Sequence, residues 1–174
     1  MVLEIEVKAY CDDLNHVEEI LKEKGAQFIE EVTEIDTYYS HPVRDFAETD
    51  EALRIRLCGE KSYITYKGPK IDALSKTREE IEIEVTDADA AKQLLVILGF
   101  HPVAEVKKVR RLYRLSPFDI CLDDVENVGT FVEVETLGES VAELRDAALT
   151  LLKEFNLEHF ERKSYLELLL LNTG

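Results

Sequence analysis

The chain has 174 residues, 45% of them hydrophobic and 33% charged, with a formal net charge of −16. That length and balance suit one domain with a sizeable core, residues 1–174. No apolar run approaches the ~18 residues that a spanning helix needs, and the acidic excess argues against nucleic acid or an anionic membrane as partner, since both select basic surfaces.

With no charged-then-apolar leader, a cytoplasmic protein is expected. Cys11, Cys58 and Cys121 form no CxxC pair and read as reduced thiols rather than a disulfide framework.

The first predicted strand carries Glu4-Ile5-Glu6-Val7-Lys8, with two carboxylates and an ammonium on one face and Ile5 and Val7 on the other. Same-face neighbours lie ~7 Å apart, so Glu4 and Glu6 repel by roughly 2–3 kcal/mol at an effective dielectric near 20. Inside a fold that face needs counter-charges. A helix follows, with Asp12 or Asp13 as its cap, Leu14, Val17, Ile20 and Leu21 as its stripe and Gly25 as its end. A polar strand then reaches Asp36-Thr37-Tyr38-Tyr39. Short strands without helices follow at Leu53–Leu57 and Tyr63–Lys67, with a Gly68-Pro69 turn and loops over 40–52 and 68–77.

The string Glu-Ile-Glu-Val returns at 82–85. It precedes a helix with Ala91, Leu94, Leu95 and Leu98, a stop at Gly99 and a strand through Lys108–Tyr113. After a strand at Phe118–Leu122 comes a third copy, opening on Val132-Glu133-Val134-Glu135. There Ser140 and Glu143 read as a capping box, Leu144, Leu151, Leu152 and Phe155 as a stripe, and Lys163-Ser164-Tyr165 as a closing strand. Three strand-helix-strand units thus carry Glu-x-Glu at the start and Tyr at the end.

Across these strands one face is charged. Arg54 and Arg56 share it, as do Thr65 and Lys67, Arg78 with Glu80, Glu82 and Glu84, Lys108 and Arg110, and Glu133 and Glu135. The opposite positions are mostly Ile, Val or Leu, and three helical stripes need such a surface to cover. The charged face is then either open to water or rolled into a barrel interior. A solvated face has no reason to repeat Glu-x-Glu three times and Arg at i, i+2. Rigid bases suit phosphate oxygens and clustered carboxylates suit hard divalent cations, so a metal–polyphosphate complex in a charged barrel is expected.

Other chemistries find no support. His16, His41, His101 and His159 lack metal-ligand spacing, and Gly68-Pro69 is not a P-loop. Tyr38, Tyr113 and Tyr165 read as wall-filling residues. Lys70 and Lys76 follow the turn in a segment read as an exposed loop, where a lysine is solvated by default and could close over a ligand.

The ordered set Glu4-x-Glu6-x-Lys8, Asp36-x-Tyr38-Tyr39, Leu53-Arg54-Ile55-Arg56, Thr65-Tyr66-Lys67-Gly68-Pro69, Arg78-x-Glu80-x-Glu82, Lys108-x-Arg110-x-x-Tyr113, Leu122-Asp123 through Glu133-x-Glu135, and Lys163-Ser164-Tyr165 resembles the CYTH superfamily, the triphosphate tunnel metalloenzymes. The resemblance covers nearly the whole chain and is strongest to the class IV adenylyl cyclases. It implies an α+β fold, with a closed eight-stranded antiparallel barrel and helices outside, and Mg²⁺ or Mn²⁺ as cofactor. It also implies metal-side carboxylates Glu4, Glu6, Glu133 and Glu135 with Asp123 beside them, and phosphate ligands Lys8, Arg54, Arg56, Lys67, Lys108 and Arg110. Lys8, Lys108, Arg110 and Asp123 would serve catalysis, and Arg78, Glu80 and Glu82 would join in a register that Glu84 leaves open.

The implied reaction is ATP to cyclic AMP and pyrophosphate. Hydrolysis of tripolyphosphate, thiamine triphosphate or a nucleoside triphosphate is the alternative, and a non-catalytic polyphosphate- or nucleotide-binding module the third reading. A homodimer is suggested by the resemblance alone.

Overall fold

The computed structural model describes residues 2–174. Its strands are β1 Leu3–Tyr10, β2 Gln27–Ser40, β3 Ala52–Cys58, β4 Lys61–Lys67, β5 Glu80–Val85, β6 His101–Leu115, β7 Phe118–Val125 and β8 Gly129–Gly138. Its helices are α1 Leu14–Glu23, α2 Phe46–Thr49, α3 Ala88–Ile97, α4 Val141–Glu154 and α5 Tyr165–Asn172. All eight strands join one antiparallel sheet in the order β1-β8-β7-β6-β2-β3-β4-β5.

The sheet curls until its two ends approach. The chain leading into β5 meets β1: the Lys76 amide donates to the Glu6 carbonyl at 2.9 Å, and Glu4 and Arg78 exchange amide–carbonyl bonds of 3.3 and 3.2 Å. Where a full ladder around a closed barrel was expected, the edges meet over these three bonds, and β5 itself pairs with β4. The long β2–β6 pairing contains two register shifts, between Phe28 and Glu30 and between Tyr38 and Tyr39, of the kind that bend a strand pair.

Periodicity accounts for the layers. Inward positions hold the charges and, at one end, an apolar cluster, while outward positions build two further apolar clusters. Val7, Ala9, Ile120, Leu122, Val132 and Val134 lie under Val17 and Leu21 of α1 and Ala148, Leu151 and Leu152 of α4. Each buried Val, Ile or Leu among them contributes ~1.5–3 kcal/mol. On the inward face Leu168 of α5 joins Val106, Val125 and Phe131, so that α5 lines one end of the concave space, and on the outer face Leu95 of α3 joins Tyr39, Leu53 and Ile55. Asp13 is the cap of α1, accepting from the His16 amide at 3.1 Å, and Gly25 at φ 76° takes the left-handed turn that follows.

Four expectations need correction. Tyr165 opens helix α5 rather than ending a strand, because Ser164 and Glu167 form a capping box. Ser140 is the N-cap of α4 but makes no side-chain cap bond, so the box expected there is absent. Residues 46–49 form helix α2 within the segment read as a loop. The outer face of β5 is uncovered, with Ile81 and Ile83 55% and 56% exposed, since α3 packs on β3, β4 and β6. Among the described residues, no helix is long and apolar enough to cross a membrane.

Candidate active site

The concave face encloses a cavity of about 410 Å³. Glu4, Glu6, Arg54, Arg56, Lys67, Arg78, Glu80, Glu82, Lys108, Arg110, Glu133 and Glu135 all line it. The i, i+2 periodicity of six strands thus converges on one space. Glu84, which left the register open, instead comes within 3.8 Å of Lys61 at the exposed end of β5.

The carboxylates divide into two groups. Oxygens of Glu4, Glu6 and Glu135 lie within 4.8 Å of one another, a spacing and hardness that suit a divalent cation. Burial first, then mutual repulsion against nearby Lys67 or Arg110, pushes the Glu4 carboxyl up to about 8 and that of Glu135 up to about 7. Glu133 belongs to the same region but is held by cations: Lys76 at 3.3 Å and Arg110 at 2.7 Å outweigh burial and keep it well below the ordinary range.

The second group lies across the cavity. Asp36 accepts both fork nitrogens of Arg56, at 2.6 and 2.7 Å, and lies 3.4 Å from Arg54. Glu34 lies 3.0 Å from Lys108 and 3.2 Å from Arg56, and these cations with Arg110 overcome burial to pull it down to about 2. Arg54 lines the cavity, and its Nε is buried without a hydrogen-bond partner. That orphaned donor, with Lys67, Lys108 and the guanidinium row, fits an anion rich in oxygens.

Two predicted residues share the inward face but lie against Tyr165, outside the cavity lining. Lys8 is 1% exposed, donates to the Lys163 carbonyl and lies 4.1 Å from the Tyr165 ring centroid. Burial, then Lys76, lowers its ammonium to about 7. Asp123 is fully buried, gripped by the Arg110 fork at 2.7 and 2.6 Å and by the Tyr165 hydroxyl at 2.7 Å.

Lys76 lies in the expected loop before β5 but corrects the expectation of a solvated lysine. It is 8% exposed, with its ammonium on Glu6 and Glu133. Lys76-x-Arg78 continues the alternation of Glu80 and Glu82, which was the available signal. Glu34 was likewise not singled out, although Glu34-x-Asp36 repeats the alternate-acid pattern.

The family profile described as CYTH domain matches residues 3–168, so the chain belongs to the CYTH domain family. A Methanocaldococcus jannaschii protein named a "putative adenylate cyclase" is 41% identical over 172 residues, covering 96% of this chain and 98% of that one. An Aeromonas hydrophila adenylate cyclase is 31% identical over 121 residues, 68% of this chain and 60% of that one. The solved structure of a Pyrococcus horikoshii OT3 protein has a TM-score of 0.90 at 42% identity, covering 98% and 99% of the two chains. A Hippeastrum protein shares the fold, with a TM-score of 0.72 at 19% identity over 97% and 95% of the two chains; it is described as an adenylyl cyclase candidate with dominant triphosphatase activity.

Proposed function

We propose that this chain is a divalent-metal-dependent enzyme acting on a triphosphate bound inside its curled sheet, and that its reaction is of the class IV adenylyl cyclase type, ATP to cyclic AMP and pyrophosphate. One observation carries the reading: a single cavity sets Arg54, Arg56, Lys67, Lys108 and Arg110 beside the Glu4, Glu6 and Glu135 group. In this reading the contact of residues 76–78 with β1 closes the sheet into a tunnel.

Phosphoryl chemistry asks a protein to position the reactants and neutralise oxygen charge. The bases would orient the triphosphate chain, each charge-assisted contact contributing ~1.5–3 kcal/mol. Arg54, Lys67 and Lys108, which line the cavity, would turn toward those oxygens from their strand positions, Lys67 leaving Glu80 and Lys108 leaving Glu34. Arg110, locked on Asp123, presents its remaining guanidinium surface at a fixed angle. Mg²⁺ or Mn²⁺ would be held by Glu4, Glu6 and Glu135, with Glu133 beside them, and would supply charge neutralisation on phosphate oxygens. In cyclisation the ribose 3′-hydroxyl oxygen would attack the α-phosphorus, its proton passing to solvent, as the bond from that phosphorus to the bridging oxygen of pyrophosphate breaks.

The Hippeastrum relative supports a second reading, hydrolysis, in which water takes the place of the ribose hydroxyl. Incubating the purified protein with ATP, thiamine triphosphate or tripolyphosphate under Mg²⁺ or Mn²⁺, with products identified by phosphorus NMR, tests both. Cyclic AMP and pyrophosphate are expected from ATP. Orthophosphate release instead identifies a triphosphatase, and binding without turnover of any of the three leaves a binding module and overturns both enzyme readings.

A further inference from the structure

Lys76 already occupies part of the acidic group. Its ammonium contacts Glu6 and lies 3.3 Å from Glu133, and Glu6 is one of the three clustered carboxylates. The residue does not arrive on a free loop tip. Its own amide donates to the Glu6 carbonyl, and Arg78 is bonded to Glu4 on both sides. Outside the sheet, the turn before it is tied down at Asp72, whose carboxylate accepts from the Leu74 and Ser75 amides and from Arg145 of α4, all between 2.7 and 2.9 Å. Arg162 donates to the Asp72 carbonyl at 2.8 Å. The strand edge on one side and α4 on the other therefore fix this ammonium among the carboxylates.

We propose that Lys76 is an internal counter-cation that competes with a divalent metal for this carboxylate group until a triphosphate draws its ammonium away, and that Arg145, acting through Asp72, is a positioning residue for it. The inference rests on the metal–triphosphate reading above. Glu6 cannot accept the ammonium and a divalent ion at close range without strong repulsion between them. Phosphate oxygens are acceptors at least as good as a carboxylate for an ammonium, so an arriving triphosphate supplies the exchange. Metal binding to the free chain is then weak, and it becomes favourable when the anion is present.

The test is Mn²⁺ titration of the metal-free full chain without any phosphate, following unbound Mn²⁺ by electron paramagnetic resonance. Lys76→Met is expected to bind Mn²⁺ at least ~10-fold tighter than the unaltered chain, the gain that removing a competing cation gives. Arg145→Met should shift affinity in the same direction by a smaller factor, and Arg145→Lys should restore it. Lys70→Met removes another lysine of the cavity, one paired with Asp50 at 2.7 Å, and should stay within ~2-fold.

Equal or weaker binding by Lys76→Met overturns the proposal, and so does a Lys70→Met effect as large, which would make the gain a bulk charge effect. An unchanged Arg145→Met overturns the positioning role. If circular dichroism shows Lys76→Met unfolded, Lys76→Gln, which keeps a donor for Glu6, decides by the same comparison. Failure of the unaltered chain and of Lys76→Met to bind Mn²⁺ even at millimolar concentration is a different outcome: it removes the metal site itself, and the proposed function with it.

Discussion

Replacing Arg110 with Lys isolates what a planar fork does here that a point charge cannot. The guanidinium donates to Asp123 at 2.7 and 2.6 Å and to Glu133 at 2.7 Å, and the residue is 8% exposed. A lysine has one nitrogen on a flexible stem and cannot span both oxygens of Asp123 while reaching Glu133. Losing two of the three contacts costs ~3–6 kcal/mol in this dry environment. At ~2–4 °C per kcal/mol for a chain of this size, the melting temperature should fall by at least ~6 °C. Turnover should fall more than ~10-fold, over ~1.4 kcal/mol of transition-state stabilisation, because the oxygens meet a displaced charge. Differential scanning calorimetry and steady-state kinetics on the same preparation check both. Arg110→Lys with an unchanged melting temperature and full turnover would falsify the inward placement of β6 and the role given to its bases.

Three further perturbations follow from the same geometry. Glu133→Gln, at a position now held by Lys76 and Arg110, should abolish product formation in the phosphorus NMR assay while circular dichroism shows a retained fold; an active variant contradicts it. Glu4 and Glu135 are raised to about 8 and about 7, so below those values a cation must displace protons to bind. Affinity for Mn²⁺ should therefore rise from pH 6 to 8 and level off above, and calorimetry at pH 6.5 in two buffers of different ionisation heat should give different heats; identical heats refute the assignment. Ser164→Ala removes the α5 capping box and should cost ~1 kcal/mol, seen as a ~2–4 °C lower melting temperature, with no loss if the box is unimportant.

Much of this was legible in alternation. Two-residue periodicity located the eight strands and gave a charged face to β1, β3, β4, β5, β6 and β8, because alternate residues fall on opposite faces and the apolar stripes of α1, α3 and α4 need the other one. Tyr165 was misplaced because the repeat of a tyrosine-bearing strand was extended into a segment whose Ser164-x-x-Glu167 spacing is a helix start. Lys76 was expected to be solvated because it lies in the loop after a Gly-Pro turn, yet residues 76, 78, 80 and 82 all line the cavity as one inward row. That Lys8 and Asp123 are shut off from the cavity was not readable at all: register gives the face, but Tyr165, arriving from a helix distant in sequence, packs against both on that face. The bare Ile81 and Ile83 reflect helix placement, which strand periodicity does not encode.

Thermal unfolding with both ligands tests the central claim most directly. The metal-free chain is heated alone, with Mg²⁺ or Mn²⁺, with tripolyphosphate, and with the two together. A ligand at ~100 times its dissociation constant stabilises by ~2.7 kcal/mol, which for this chain is ~5–11 °C. The charged cavity predicts a shift of that size with metal and triphosphate together, larger than either produces alone. An unchanged melting temperature at saturating concentrations of both would contradict it.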